Sequence, residues 1–158
     1  MIVAVADGGK LHPRVIPAIT RQGYTPLQLV CNPAPGPASY PGWLASLLTL
    51  GRNVCIIEHD VESRPGFLRD LQACPEPWCF FAYDFSTSYE DTMLGTGFTP
   101  LGHTRFRAGV GTLIADLLDS EEFGSAWDGR DKLISAALAA FVKPHRHRGK
   151  AIHWHRYA

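Results

Sequence analysis

The residues best suited to chemistry lie in the short sequence Glu58-His59-Asp60, which directly follows the apolar run at 54–57. That run predicts a buried strand, and in an open α/β sheet ligands gather beyond the carboxyl ends of such strands. Because alternate residues of an extended chain point to the same side, Glu58 and Asp60 can share one divalent cation. The alternative is a solvated strand end with a turn-forming aspartate.

A second group of residues lies in the basic, histidine-rich tail at 142–158. All 15 Asp and Glu residues precede this tail, although the net charge of the whole chain is zero. Its histidines are His145, His147, His153 and His155. They allow three interpretations: a metal ligand, a zinc site with cysteines, or a basic surface patch. Neither their spacing nor that of Cys74 and Cys79 is typical of a structural zinc site. The charge predicts phosphate-bearing partners.

The rest of the chain must supply the elements that position these groups. Its 158 residues are 46% apolar and 19% charged, which indicates one globular domain and excludes disordered and coiled-coil proteins. Residues 2–31 predict a parallel strand-helix-strand unit, and the polar segment 84–102 is interpreted as an active-site lid. Further strands are predicted at 54–57, 78–83 and 151–155, and helices at 43–50, 65–74, 110–118 and 128–142.

The sequence also predicts where the protein works. No apolar run approaches the roughly 18 to 20 residues that a membrane span needs, and the first residues lack the pattern of a signal peptide. The four cysteines have no Cys-x-x-Cys spacing, which favours reduced, buried thiols. We therefore expect a cytoplasmic protein without a membrane span.

The order of these features resembles a small, minimal form of the nucleotide-sugar-dependent glycosyltransferases of the GT-A fold. The resemblance covers most of the chain. Its segments are the strand ending at Asp7, Cys31-Asn32, Glu58-His59-Asp60-Val61, Pro65-Gly66-Phe67-Leu68, Leu101-Gly102-His103-Thr104-Arg105-Phe106, Trp127-Asp128-Gly129-Arg130-Asp131, and His153. The resemblance implies a single Rossmann-like α/β domain over residues 1–158, with a mostly parallel central sheet flanked by helices.

The same resemblance assigns roles at the metal. Glu58-His59-Asp60 takes the place of the family's Asp-x-Asp motif, which makes Asp60 a metal ligand and turns Glu58 toward the ribose or the water shell of the metal. His153 corresponds to the family's late metal-binding histidine, with His155 replacing it if the register differs by two. An imidazole ligand suits Mn²⁺ better than Mg²⁺.

The remaining roles concern the nucleotide and the acceptor. Asp7 and Asn32 correspond to positions that hold the base and ribose, although Asp7 also suits a turn. Asp131 corresponds to the general base of inverting members. The alternative is that Asp128 and Asp131 cap the start of a helix.

These assignments imply a metal-dependent, inverting glycosyltransferase that takes a sugar from a nucleotide diphosphate donor. The basic tail makes hydroxymethylated DNA, in a virus-infected host cell, a candidate acceptor beside a carbohydrate or protein hydroxyl. The alternative is that the tail binds the donor diphosphate, keeps the protein in solution or lies in a subunit interface. Because the chain is short for this fold, a homo-oligomer in which a second subunit completes the acceptor site is also expected. Two alternatives are a nucleotidyltransferase and a non-catalytic nucleic-acid-binding module.

Overall fold

A computed structural model describes residues 1–32, 39–83, 101–121, 123 and 130–154. The strands are β1 (Ile2–Asp7), β2 (Pro26–Val30), β3 (Val54–Glu58), β4 (Val61–Glu62), β5 (Trp78–Tyr83), β6 (His103–Phe106) and β7 (His145–His153). The helices are α1 (Val15–Thr20), α2 (Tyr40–Thr49), α3 (Phe67–Ala73), a 3₁₀ helix (Val110–Ile114), α4 (Ala115–Leu118) and α5 (Arg130–Ala139). No helix in these ranges is long and apolar enough to cross a membrane.

The strands form one seven-stranded sheet in the order β2-β1-β3-β6-β5-β7-β4. Strand β1 is parallel to both β2 and β3, and α1 lies between β1 and β2 in the chain. The predicted strand-helix-strand unit over residues 2–31 is therefore confirmed. Strand β6 runs antiparallel to β3 and to β5, so β5 regains the direction of β3.

The prediction of a mostly parallel, Rossmann-like sheet flanked by helices is wrong, because the sheet is mixed. Three of the six strand pairs within the described ranges are antiparallel: β3 with β6, β5 with β6, and β4 with β7. Antiparallel neighbours need no helical crossover. Accordingly, the described part of the chain has five α-helices of only four to ten residues.

Apolar side chains alternate between the two faces of the sheet, and each face has its own core. On β1, Val3 and Val5 belong to one buried cluster, while Ala4 and Ala6 belong to the other. The first cluster includes residues of α1 and α3, and the second includes residues of α2, α5 and the 3₁₀ helix. The short elements are thus held in place by burial on both sides of the sheet.

A buried arginine connects β6 to the end of α3. Arg105 is fully buried. Its guanidinium donates hydrogen bonds of 2.8 to 3.0 Å to the backbone carbonyls of Leu71, Cys74 and Glu76. These carbonyls lie at or just beyond the C-terminus of α3, where backbone acceptors lack helical partners. The arginine satisfies them and fixes the helix against the sheet.

The basic segment near the C-terminus is part of the sheet. Strand β7 pairs in parallel with β5 and antiparallel with β4. The pairing with β5 shifts in register between Phe80 and Ala82, and near this irregularity Gly149 adopts a left-handed φ of 97° close to Phe67. The last strand was predicted at 151–155, so β7 begins six residues earlier than expected.

Candidate functional site

The site centres on Asp60 and His153. The Nε2 atom of His153 lies 3.1 Å from Oδ2 of Asp60, and the side chains are only 12% and 13% exposed. The two predicted metal ligands are separated by more than 90 residues in the chain, and the fold brings them into direct contact.

The contact follows from the pairing of the strands. Asp60 lies in the turn between β3 and β4, and β4 pairs with the end of β7, with Val61 opposite His153. The backbone N–H of Trp154 also donates to the carbonyl of Asp60 at 2.8 Å. Because β7 runs in the same direction as β3, its carboxyl end reaches the edge where β3 ends.

The electrostatics of the site favour an ionised carboxylate. Burial raises the pKa of Asp60, but the hydrogen bond from His153 and the charges of His153 and His59 outweigh burial. The net result is a pKa below the ordinary value for an aspartate. Asp60 is therefore a charged acceptor at neutral pH.

A divalent cation fits this pair of donor atoms. Neighbouring ligands on an octahedral cation with bonds of about 2.1 Å lie roughly 3 Å apart, which is close to the observed 3.1 Å. One carboxylate oxygen and one imidazole nitrogen are ligands that transition metals accept, and they do not select one metal. Binding requires that Nε2 of His153 gives up its proton.

A basic segment borders the pair. The backbone N–H of His12 donates to the carbonyl of His59 at 2.8 Å, which holds the segment after β1 against the end of β3. The ring of His12 stacks on Trp154 with centroids 4.6 Å apart, and the guanidinium of Arg14 lies 4.8 Å from the centre of the same indole. The Trp154 Nε1 donates to Glu62 at 3.0 Å. The cationic side chain of Arg14 therefore packs on Trp154, the residue whose backbone contacts Asp60.

The predicted nucleotide-binding residues lie along the same edge. Glu58 ends β3 opposite Ala6 of β1, next to Asp7, and is half-buried. The two oxygens of Asp7 accept 2.8 Å hydrogen bonds from the backbone of Gly9 and from Gln28 on β2. These bonds favour the turn role of Asp7. Asn32 is exposed, two residues after the end of β2.

Other predicted groups fall where the structure gives no side-chain description. Asp131 lies in the first turn of α5, and its side chain is outside the described residues. Outside them also lie His155, the start of the predicted helix at Asp128, and nearly all of the segment 84–102 interpreted as a lid. Their roles stay predictions.

The sequence reasoning missed the group formed by His12, Arg14 and Trp154. The only signal was the presence of basic residues soon after the first predicted strand, because the stacking depends on β7 reaching this edge. Comparison of the chain with protein-family models, with curated proteins and with solved structures finds no match.

Proposed function

We propose that the protein is a metal-dependent glycosyltransferase that moves a sugar from a nucleotide diphosphate donor to an acceptor hydroxyl. The observation that carries this proposal is the half-buried 3.1 Å contact between Asp60 and His153 beyond the carboxyl end of β3. An acidic and an imidazole donor at a sheet edge suit a cation that binds a diphosphate.

The surrounding residues support a diphosphate rather than a neutral ligand. Arg14 and His12 lie next to Trp154, whose backbone contacts Asp60. A cation bound there would neutralise the charge that develops on the leaving nucleoside diphosphate. The residues of this chain would orient the donor: Asp60 and His153 hold the metal, Arg14 attracts the phosphates, and Glu58 lies where a ribose hydroxyl could bind.

Replacing Asp60 by Asn tests the proposal. The amide keeps the shape but loses the charge, so Mn²⁺-dependent sugar transfer should be abolished and Mn²⁺-dependent donor binding should weaken. The assay screens nucleotide sugars with Mn²⁺ and detects donor cleavage by mass spectrometry. The matched control is Asp116→Asn on α4, an exposed residue that should leave turnover unchanged. Wild-type turnover in Asp60→Asn would refute the metal assignment.

The acceptor we propose is DNA that carries hydroxymethylated bases. Arg146 and Arg148 are exposed on β7, and Lys150 follows on the same strand. A polyanionic acceptor would be held by such charges. Replacing all three with Ala should reduce the salt dependence of duplex DNA binding by up to about three in log-log slope. No DNA binding by the wild type at low salt would leave a carbohydrate or protein hydroxyl as the acceptor.

Nucleotidyl transfer is a second candidate, favoured by one observation. The segment after β1 contains Gly8, Gly9 and Lys10 and leads to His12, whose backbone N–H donates to the carbonyl of His59 next to Asp60. A basic, glycine-containing loop in that place is what a nucleotidyltransferase uses to hold a triphosphate. The products separate the two activities: sugar transfer releases a nucleoside diphosphate, and nucleotidyl transfer releases pyrophosphate.

A further inference from the structure

A second cluster of metal-ligating side chains lies away from Asp60. The ligand atoms of Cys74, Cys79 and His147 all lie within 4.8 Å of one another. Both cysteines are buried free thiols, and Nε2 of His147 is buried without a hydrogen-bond partner. Two sulfurs and one imidazole are the ligands of zinc sites.

Three different elements build this cluster. Cys74 caps the end of α3, Cys79 lies near the start of β5, and His147 belongs to β7. The register places Cys79 opposite His145, and His147 lies two residues further on the same side of its strand. The ring of His147 stacks on Phe81 with centroids 4.8 Å apart, which fixes the imidazole on this face.

From this geometry we infer that Cys74, Cys79 and His147 bind one Zn²⁺ ion, with water at the fourth position. Tetrahedral zinc with bonds of about 2.0 to 2.3 Å brings its ligands to roughly 3.5 to 3.8 Å from one another, so the side chains need to close by only about 1 Å. The ion would join α3, β5 and β7 at a point six residues before His153.

The charges near the cluster suit a dication bound to two thiolates. The charge of Asp70, one helical turn before Cys74, acts on His147, and the buried guanidinium of Arg105 acts on Cys79. Two thiolates and one carboxylate offset the zinc ion and the guanidinium. Without metal, burial raises the pKa of Cys79 to about 12, so the ion must displace the thiol proton when it binds.

The test uses Co²⁺ as a spectroscopic substitute for Zn²⁺ in the full chain. Thiolate ligands give a sulfur-to-cobalt charge-transfer absorption, which oxygen and imidazole ligands do not give. The wild type should show this absorption and lose it when Zn²⁺ is added, and Asp60→Asn, which lacks the other proposed metal site, should carry one Zn²⁺ per chain on dialysis against limiting zinc. Cys79→Ser and His147→Ala should each weaken zinc binding by about 100-fold or more.

Two controls keep the test independent of the proposed enzyme activity. Cys31→Ser changes a buried cysteine in the other core and should keep the absorption. Asp60→Asn should also keep it, even if it abolishes sugar transfer. Zinc should raise the melting temperature of Asp60→Asn, in which the other proposed metal site is removed, and the further change Cys79→Ser in that background should abolish this rise. Absence of the thiolate absorption from folded, reduced wild-type protein, or its persistence in Cys79→Ser, would overturn the inference.

Discussion

The stability of the protein should fall between pH 7 and pH 5 because of one buried histidine. His103 on β6 is fully buried, and neither of its ring nitrogens has a hydrogen-bond partner among the described residues. Its ring packs edge-on against Phe81 and Phe67. Burial, with a smaller contribution from the charge of the neighbouring His147, lowers the pKa of His103 to about 4.

The direction and size of the effect follow from the two pKa values. In the unfolded chain His103 binds a proton near its ordinary pKa of about 6.5, while in the folded protein it stays neutral down to about pH 4. The free energy of unfolding therefore decreases as the pH falls below about 6.5. At about 1.4 kcal/mol per pKa unit, the loss is about 2 kcal/mol by pH 5 and about 3 kcal/mol once the pH is below both values.

The measurement is urea unfolding at pH 7 and pH 5 for the wild type and for His103→Leu. The leucine cannot take up a proton, so the variant should lose about 2 kcal/mol less than the wild type over this interval. His145→Leu removes an exposed imidazole from β7; because the charge of His145 also lowers the pKa of His147, this variant should keep the part of the loss that comes from His103. An equal loss in the wild type and in His103→Leu would refute the reasoning.

Four other changes test separate parts of the structure. Replacing Arg105 by Met leaves buried carbonyls without donors and should lower the free energy of unfolding by at least about 3 kcal/mol in urea. In Gly111→Ala the new Cβ overlaps the backbone of Leu48, so unfolding in urea should show a loss of about 1 to 3 kcal/mol. Folding lowers the pKa of Asp60, so its ionised carboxylate stabilises the folded protein above about pH 4. This stability is lost as the pH falls through the pKa of the folded state. Acid unfolding of Asp60→Asn should lack that loss. Asp131→Asn should keep donor binding in equilibrium titrations but slow transfer, because an amide caps a helix and cannot accept a proton.

The elements that could be predicted from the sequence are those made of consecutive apolar residues, because such runs indicate burial. Strands β1, β3 and β5 are runs of apolar residues, and their bounds differ from the prediction by at most one residue. Strand β6 was missed because it contains His103 and Arg105, which look like surface residues in the sequence. Arg105 is buried only because carbonyls about 30 residues earlier accept its hydrogen bonds. Missing β6 led to the wrong sheet type.

The candidate site likewise has one part that could be predicted from the sequence and one part that could not. Asp60 could be selected because an acidic group follows a buried strand, and His153 because of the resemblance to GT-A glycosyltransferases; the fold places them 3.1 Å apart. The grouping of Cys74 and Cys79 with His147 could not be selected, because its ligands do not follow a regular spacing. Their proximity depends on β7 pairing with β5, a contact between distant parts of the chain.

The position of β7 has a consequence for how the protein is made. This strand follows every other described strand in the chain, yet in the sheet it lies between β5 and β4. A nascent chain on the ribosome therefore has two open strand edges until β7 emerges and inserts between them. Since Asp60 meets His153 only when β7 is in place, a chain that lacks β7 cannot form this contact. Until β7 is in place, the open edges of β5 and β4 can pair with strands of other chains, so this stage of folding is the one most exposed to aggregation.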